Sequence, residues 1–501
     1  MTEQDELTDV TARIWRSAGS SAEALSGLTF SGPRQVLPSI FDVTGLAAAS
    51  VAAATLAAAE FHASRTGTPL LPVSVDTRAA SAAFACEALF TPVGWQVPPV
   101  WDPIAGNYRA RDGWIRLHTN YAYHRAAVQW VLSPYDKNGA QDKESVAAEV
   151  RRMKASELED GVVESAGGCA AVMRTREEWL ASPQGAATAQ APVLDVTVGP
   201  GSGPDDDAIA PPQFRLPSPD VRLVARGNHG KHPAAEPGGG VTAAPYAGIR
   251  VLDLTRVIAG PMGTRFLAAY GADVLRVDPP GFAEVPAILP ESTAGKRAAA
   301  LDLTSPAGRA TFEDLIATAD VLVTGLRADA LARLGYDEAT VAAINPGLIR
   351  ASLNAYGWAG PWRNRRGFDS LVQMSCGITA AGAQAAGTDS PVALPVQALD
   401  HATGYLVAAA VGRALTRRLA TQRASRIRAS LIGTANFLWS LPRPRALPPA
   451  PSPADFPRQD ASTAWGPARR VPVPGQIAGI APHWTVDAGP LGRHAPAWAT
   501  G

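Results

Sequence analysis

Between residues 247 and 436, short apolar runs alternate with helix-signalled segments about every 25 residues, and this rhythm narrows the fold more than any other feature. Ile249 to Leu254 reads as a buried strand. A helix follows from Pro261 to Tyr270 and stops at Gly271. Further strands read at Val274 to Val277, ending in Asp278, at Ala298 to Leu303, Val321 to Val323 and Leu348 to Leu353. Ser305-Pro306 opens a helix, and Asn345-Pro346 closes another. Strand-helix alternation of this kind predicts an α/β domain with a parallel sheet and right-handed crossovers. Ligands of such sheets bind outside the carboxyl ends of the strands.

The 501 residues are too many for one ordinary core, so two domains are expected. Residues 1–98 read as a helical N-terminal segment, with an Ala-rich helix near 40–64. Residues 99–198 read as a small α+β domain, 199–246 as a Gly/Pro-rich linker, 247–436 as the large domain and 437–501 as a Pro-rich tail. Asp112-Gly113 turns into a strand, and Arg176-Glu-Glu-Trp179 begins a helix. One repeat is visible: Asp42-Val-Thr-Gly45 and its Ala-rich helix echo Asp400-His-Ala-Thr-Gly404 and its own.

With 45 Lys+Arg against 45 Asp+Glu, the chain has no electrostatic footprint for nucleic acid. Cys86, Cys169 and Cys376 show no CxxC spacing and read as reduced, buried thiols of a cytoplasmic protein. The acidic N-terminus is unlike a secretory signal. Leu46 to Phe61 is too short and too weakly apolar for a membrane span, so a buried helix is expected and no membrane partner.

The loop after the first strand contains Gly260 and Gly263 but no GxGxxG, which argues against a dinucleotide site with Asp278 as ribose acceptor. Gly295-Lys296-Arg297 is a glycine and two cations at a strand entrance, either a phosphate contact or a solvated loop; no Walker pattern points to ATP. The eight histidines form no metal-ligand set, and no GxSxG elbow occurs.

Taken in order, Gly248-Ile-Arg-Val-Leu-Asp-Leu-Thr255, Ala259-Gly-Pro261, Gly271-Ala-Asp-Val-Leu-Arg-Val277, Gly295-Lys-Arg297, Tyr356-Gly357, Gly367-Phe-Asp369 and Leu394-Pro-Val-Gln-Ala-Leu-Asp400 resemble the large domain of a family III CoA-transferase. Asp42 to Phe84, Tyr108 to Trp114 and Arg174 to Trp179 resemble later parts of the same family. Small-domain features therefore precede the nucleotide-type domain, in a tandem of incomplete units or a permuted one, with residues 100–200 supplying the small domain in cis.

The resemblance implies a Rossmann-like large domain and transfer of CoA from an acyl-CoA donor to a carboxylic-acid acceptor through an aspartyl-CoA intermediate, with coenzyme A but no metal or ATP. It implies a homodimer. The position of the family's nucleophile is occupied by Asp400, with Asp42 as the second candidate; the bland reading of each is a helix cap. Lys296 and Arg297 are the implied CoA phosphate contacts, with Arg276, Asp278, Arg327 and Tyr356 as further candidates, each also explicable as surface charge or core. Two alternatives stand: an α-methylacyl-CoA racemase-like isomerase, against which Phe368 replaces the His of a Gly-His-Asp motif, and a non-catalytic CoA-binding subunit.

Overall fold

A computed structural model describes residues 3–19, 22–133, 141–199 and 244–499. Nearly all of the expected linker, with His229 and His232, lies outside the described residues. The central sheet is built from Asp195–Val198 (β1), Arg250–Leu254 (β2), Asp273–Asp278 (β3), Lys296–Ala300 (β4), Val321–Thr324 (β5), Ile349–Asn354 (β6) and Ser425–Ser430 (β7). Its spatial order is β4-β3-β2-β5-β6-β7-β1. Every neighbouring pair is parallel except β7 with β1, where Arg428 faces Asp195. Val251, Leu252, Val274, Leu275, Val321, Val323, Ile349 and Ile427 are buried, as strands covered by helices on both faces require.

From β2 the chain winds outward to β3 and β4, then returns to start again at β5. This is the doubly wound order, and the crevice between β2 and β5 is its switch point. The expected strands and helices of 247–436 are present. The third strand starts at Lys296, two residues before the predicted Ala298.

The N-terminal half is not a separate body. Its helix Val43–Thr66 (α1) lies along Ala398–Thr421 (α3), each 24 residues long, and α3 also crosses Ala259–Ala269 (α2). Small side chains permit the close approach. A Cβ on Gly412 would stand 2.9 Å from the Ala57 Cβ, and one on Gly404 would stand 2.3 Å from the Ala259 carbonyl oxygen. By length and composition α1 could cross a membrane, running beyond the Leu46 to Phe61 stretch, yet it is buried within the protein.

Residues from 99 onward form an antiparallel sheet of Gly106–Arg109, Trp114–Leu117 and Ala170–Val172, backed by helices Ala122–Leu132 and Ala155–Asp160. Its core is its own, including Ile104, Ile115, Val128 and Leu158. It docks on the large domain where Cys169 and Ala171 meet Leu371 and Met374. The tail crosses both halves: Gln476–Ile477 pairs with Val73–Asp76 and Ala468–Arg470 with Thr91–Pro92, while His494 bridges to Ala299 of the large domain.

Candidate active site

The loop leaving β2 is held by a buried carboxylate. Asp253 accepts from the Thr255 backbone and hydroxyl (2.9 and 2.5 Å), the Thr264 hydroxyl (2.6 Å) and Lys296 Nζ (2.9 Å). These bonds fix the turn in which Val257 has φ 65°. A β-branched residue there is strained, and such strain is retained where surrounding bonds over-determine the backbone. The Val257 N–H donates to Glu284 (2.9 Å), which also accepts from the Tyr121 hydroxyl (2.6 Å) and Arg276 (3.1 Å). Tyr121 belongs to the small domain, so this network ties the two domains together beside the crevice.

Two cavities meet at that loop. The first, about 480 Å³, lies over the carboxyl ends of the strands and is lined in part by Arg256, Asp278, Arg327, Arg366 and Asp400. The second, about 470 Å³, is lined in part by Phe84, Trp101, His118, Val285, Val396 and Asp400. Tyr121, Val257, Ile258, Phe368 and Asp400 line both.

Asp400 stands in the first turn of α3 and is 7% exposed. Among the described residues no group donates to its carboxylate. Burial, then the nearby Asp369 and Glu87, raise its pKa well above the ordinary carboxylate range. The helix N-terminus opposes this by favouring negative charge. Asp369 is fully engaged: it accepts from the Leu399 and Asp400 backbone N–H groups (2.8 and 3.0 Å) and from the Gln373 amide. It therefore caps α3 and fixes the Asp400 backbone, with its own pKa pushed up to about 6, chiefly by burial.

The structure sorts the remaining sequence candidates. Asp278 and Arg327 line the first cavity with Asp400. Asp42 lines neither cavity: it caps α1 through the Gly45 N–H (2.9 Å) and is clamped by both Nη atoms of Arg34 (2.7 and 2.5 Å). The cap reading fits it, with its carboxylate engaged by a cation. Lys296 is 1% exposed and donates to Asp253 and the Pro261 carbonyl; burial brings its pKa down to about 8. Arg297 pairs with Asp273 (2.8 Å). Both residues start β4 at its amino end, away from the carboxyl-end crevice, so neither lines the two cavities. Arg276, wholly buried, pairs with Asp278 (2.7 Å) and Glu284. Tyr356 is 1% exposed and bonds the Ser375 hydroxyl (3.2 Å).

Sequence reading missed Arg256, Arg365 and Arg366, which line the first cavity. Arg256 lies 3.8 Å over the Phe282 ring and 3.5 Å from Asp278. It also missed His118 and His124. The His118 ring stacks on Phe368 at 3.7 Å, nearly parallel, and burial drives its pKa well below the usual imidazole range. Burial and Arg366 bring His124 down to about 3. Both histidines come from the small domain, His118 just after the strand Trp114–Leu117 and His124 within the helix Ala122–Leu132. Cys86, Glu87 and His401 gather within 4.8 Å, but Arg265 Nη1 lies 3.7 Å from the Cys86 sulfur, burial pushes that thiol up, and the Glu87 carboxylate is hydrogen-bonded to the His401 ring (3.1 Å).

Residues 246–465 match the family model described as CoA-transferase family III. The match spans the large domain and the start of the tail. Acetyl-coenzyme A transferase nodX of Hypoxylon pulicicidum is 38% identical over 35% of this chain and 30% of its own length. A probable fatty acyl-CoA transferase of Mycobacterium tuberculosis is 33% identical over 35% of this chain and 48% of that protein. Succinate--glutarate CoA-transferase of Agrobacterium fabrum is 31% identical over 38% and 51%. The chain spans about half or less of the length of these relatives. A crystal structure of a Mycobacterium tuberculosis protein aligns at 30% identity and TM-score 0.36, over 40% of this chain and 58% of the other.

Proposed function

We propose that the protein transfers CoA from an acyl-CoA thioester to a free carboxylic acid, with Asp400 as nucleophile. One observation carries the reading: the Asp400 carboxylate, without a donor among the described residues, stands in the wall common to both cavities at the switch point of the sheet. Arg256, Arg327 and Arg366 give the first cavity the charge to hold the phosphates of CoA. The first attack joins a carboxylate oxygen to the thioester carbonyl carbon, breaks the C–S bond and gives a mixed anhydride plus CoA thiolate. The thiolate then attacks the aspartyl carbonyl, expels the donor as a carboxylate and leaves aspartyl-CoA. The acceptor carboxylate attacks that species, and the returning thiolate completes the new thioester while restoring Asp400. Each step exchanges an acyl group between carboxylate and thiolate. A carboxylate stripped of water is a better nucleophile than a solvated one, which is the use of its burial.

The test is exchange of an isotope-labelled free acid into its own acyl-CoA without ATP. Labelled thioester is expected with the wild type, and a loss of about 10³-fold or more with Asp400→Asn. Exchange unchanged in that variant defeats the reading. The isomerase alternative has one observation in its favour, the His118 imidazole against Phe368 in the cavity shared with Asp400. Deuterium oxide discriminates: an isomerase exchanges the α-proton of the acyl group with solvent, whereas the transferase leaves it in place.

A further inference from the structure

We propose that the second cavity selects a neutral, apolar acyl group and rejects dicarboxylic ones. This rests on the transferase reading above, with the CoA portion in the arginine-lined cavity. The wall is largely Phe84, Val100, Trp101, Val257, Val285 and Ile288, and among the described residues no Lys or Arg lines it. Its charged groups are all carboxylates: Glu87, Asp369 and Asp400. Glu87 is occupied by His401 (3.1 Å), and Asp369 by two backbone N–H groups and Gln373. His118, held neutral by burial, offers no countercharge.

The distal carboxylate of a succinyl or oxalyl group would therefore enter a desolvated space whose wall, among the described residues, carries three acids and no Lys or Arg, the Arg116 guanidinium standing over the Trp101 ring. Uncompensated charge in such a site is strongly disfavoured, and like charges discriminate against a ligand more sharply than lost contacts do. A branched aliphatic or aromatic acyl group meets the opposite conditions, and about 470 Å³ is ample for a ring. Much of this wall comes from residues 84–121 of the N-terminal half, which the matched segment 246–465 does not contain. Acyl choice is thus shared between the matched segment and the part of the chain outside it.

Calorimetric binding of benzoyl-CoA, isovaleryl-CoA, succinyl-CoA and free CoA to the full chain, using Asp400→Asn to prevent turnover, tests the inference. The two neutral thioesters are expected to bind at least about tenfold more tightly than succinyl-CoA. Equal affinity, or preference for succinyl-CoA, overturns it. In Val396→Arg/Asp400→Asn, which places a cation in that wall, the gap should narrow. An unchanged gap in a folded double variant also overturns the inference. Because binding is read separately from exchange, selectivity without transfer would defeat the nucleophile and leave the pocket assignment standing.

Discussion

At the scale of residues, Asp42 and Asp400 show how one motif carries opposite electrostatics. Both open an Ala-rich helix of 24 residues. Asp42 is neutralised by Arg34; Asp400 faces open volume beside two other carboxylates. Asp42→Asn should therefore lower stability by roughly 2–3 kcal/mol, through the loss of a largely buried pair, and leave transfer intact. Asp400→Asn should abolish transfer yet raise stability by about 1 kcal/mol at neutral pH. The sign follows from the raised pKa: folding favours protonated Asp400, so its charge destabilises the fold above that pKa. The gap between variant and wild type is full above the raised pKa and should close as pH falls from it towards the unfolded-chain value of about 4. Thermal unfolding at several pH values checks both.

The nucleophile must be ionised, so the transfer rate should rise with pH, with its midpoint above the ordinary carboxylate range. Asp369→Asn, removing a neighbouring negative charge, should move that midpoint to lower pH. A pH–rate profile of the two proteins reads the shift. Asp400 was legible in the sequence because its motif sits in the chain's most regular region. That Lys296 and Arg297 stand away from both cavities was not legible, because a cation pair looks alike whether it meets solvent, a phosphate or Asp253, and only the direction of β4 places it. The arginines of the first cavity carry no local signal, since loops from several strands bring them together.

At the scale of elements, the site depends on three helices crossing closely. Gly404 lies one turn beyond Asp400 on α3, where a Cβ would collide with the Ala259 carbonyl of α2. Gly404→Ala should cost about 2 kcal/mol or more and displace Asp400, lowering kcat as well as thermal stability. The loop between β2 and α2 is the second element at stake, with Val257 held at positive φ by Glu284 and the Asp253 network. Strands and helices of 247–436 were legible because buried parallel strands and capped helices write strong local signals. The pairing of β1 with β7 was not, because an edge strand of four residues has almost none.

At the scale of the whole molecule, the N-terminal half supplies what a single nucleotide-type domain lacks: α1 against α3, the small domain over the crevice, and a wall of the second cavity. Residues of this one chain line both cavities. Specific activity should therefore be independent of protein concentration, with an active species of 52.1 kDa in sedimentation, in place of the homodimer that the resemblance implied. Loss of activity on dilution, recovered on concentration, would show instead that a second copy is needed.

The most direct measurement is intact and peptide mass spectrometry of the full chain after incubation with neutral acyl-CoAs. One CoA-sized, hydroxylamine-sensitive adduct per chain, on the peptide bearing Asp400 and absent in Asp400→Asn, is the result expected here. An adduct on the peptide bearing Asp42, or transfer that persists in Asp400→Asn, would contradict the account.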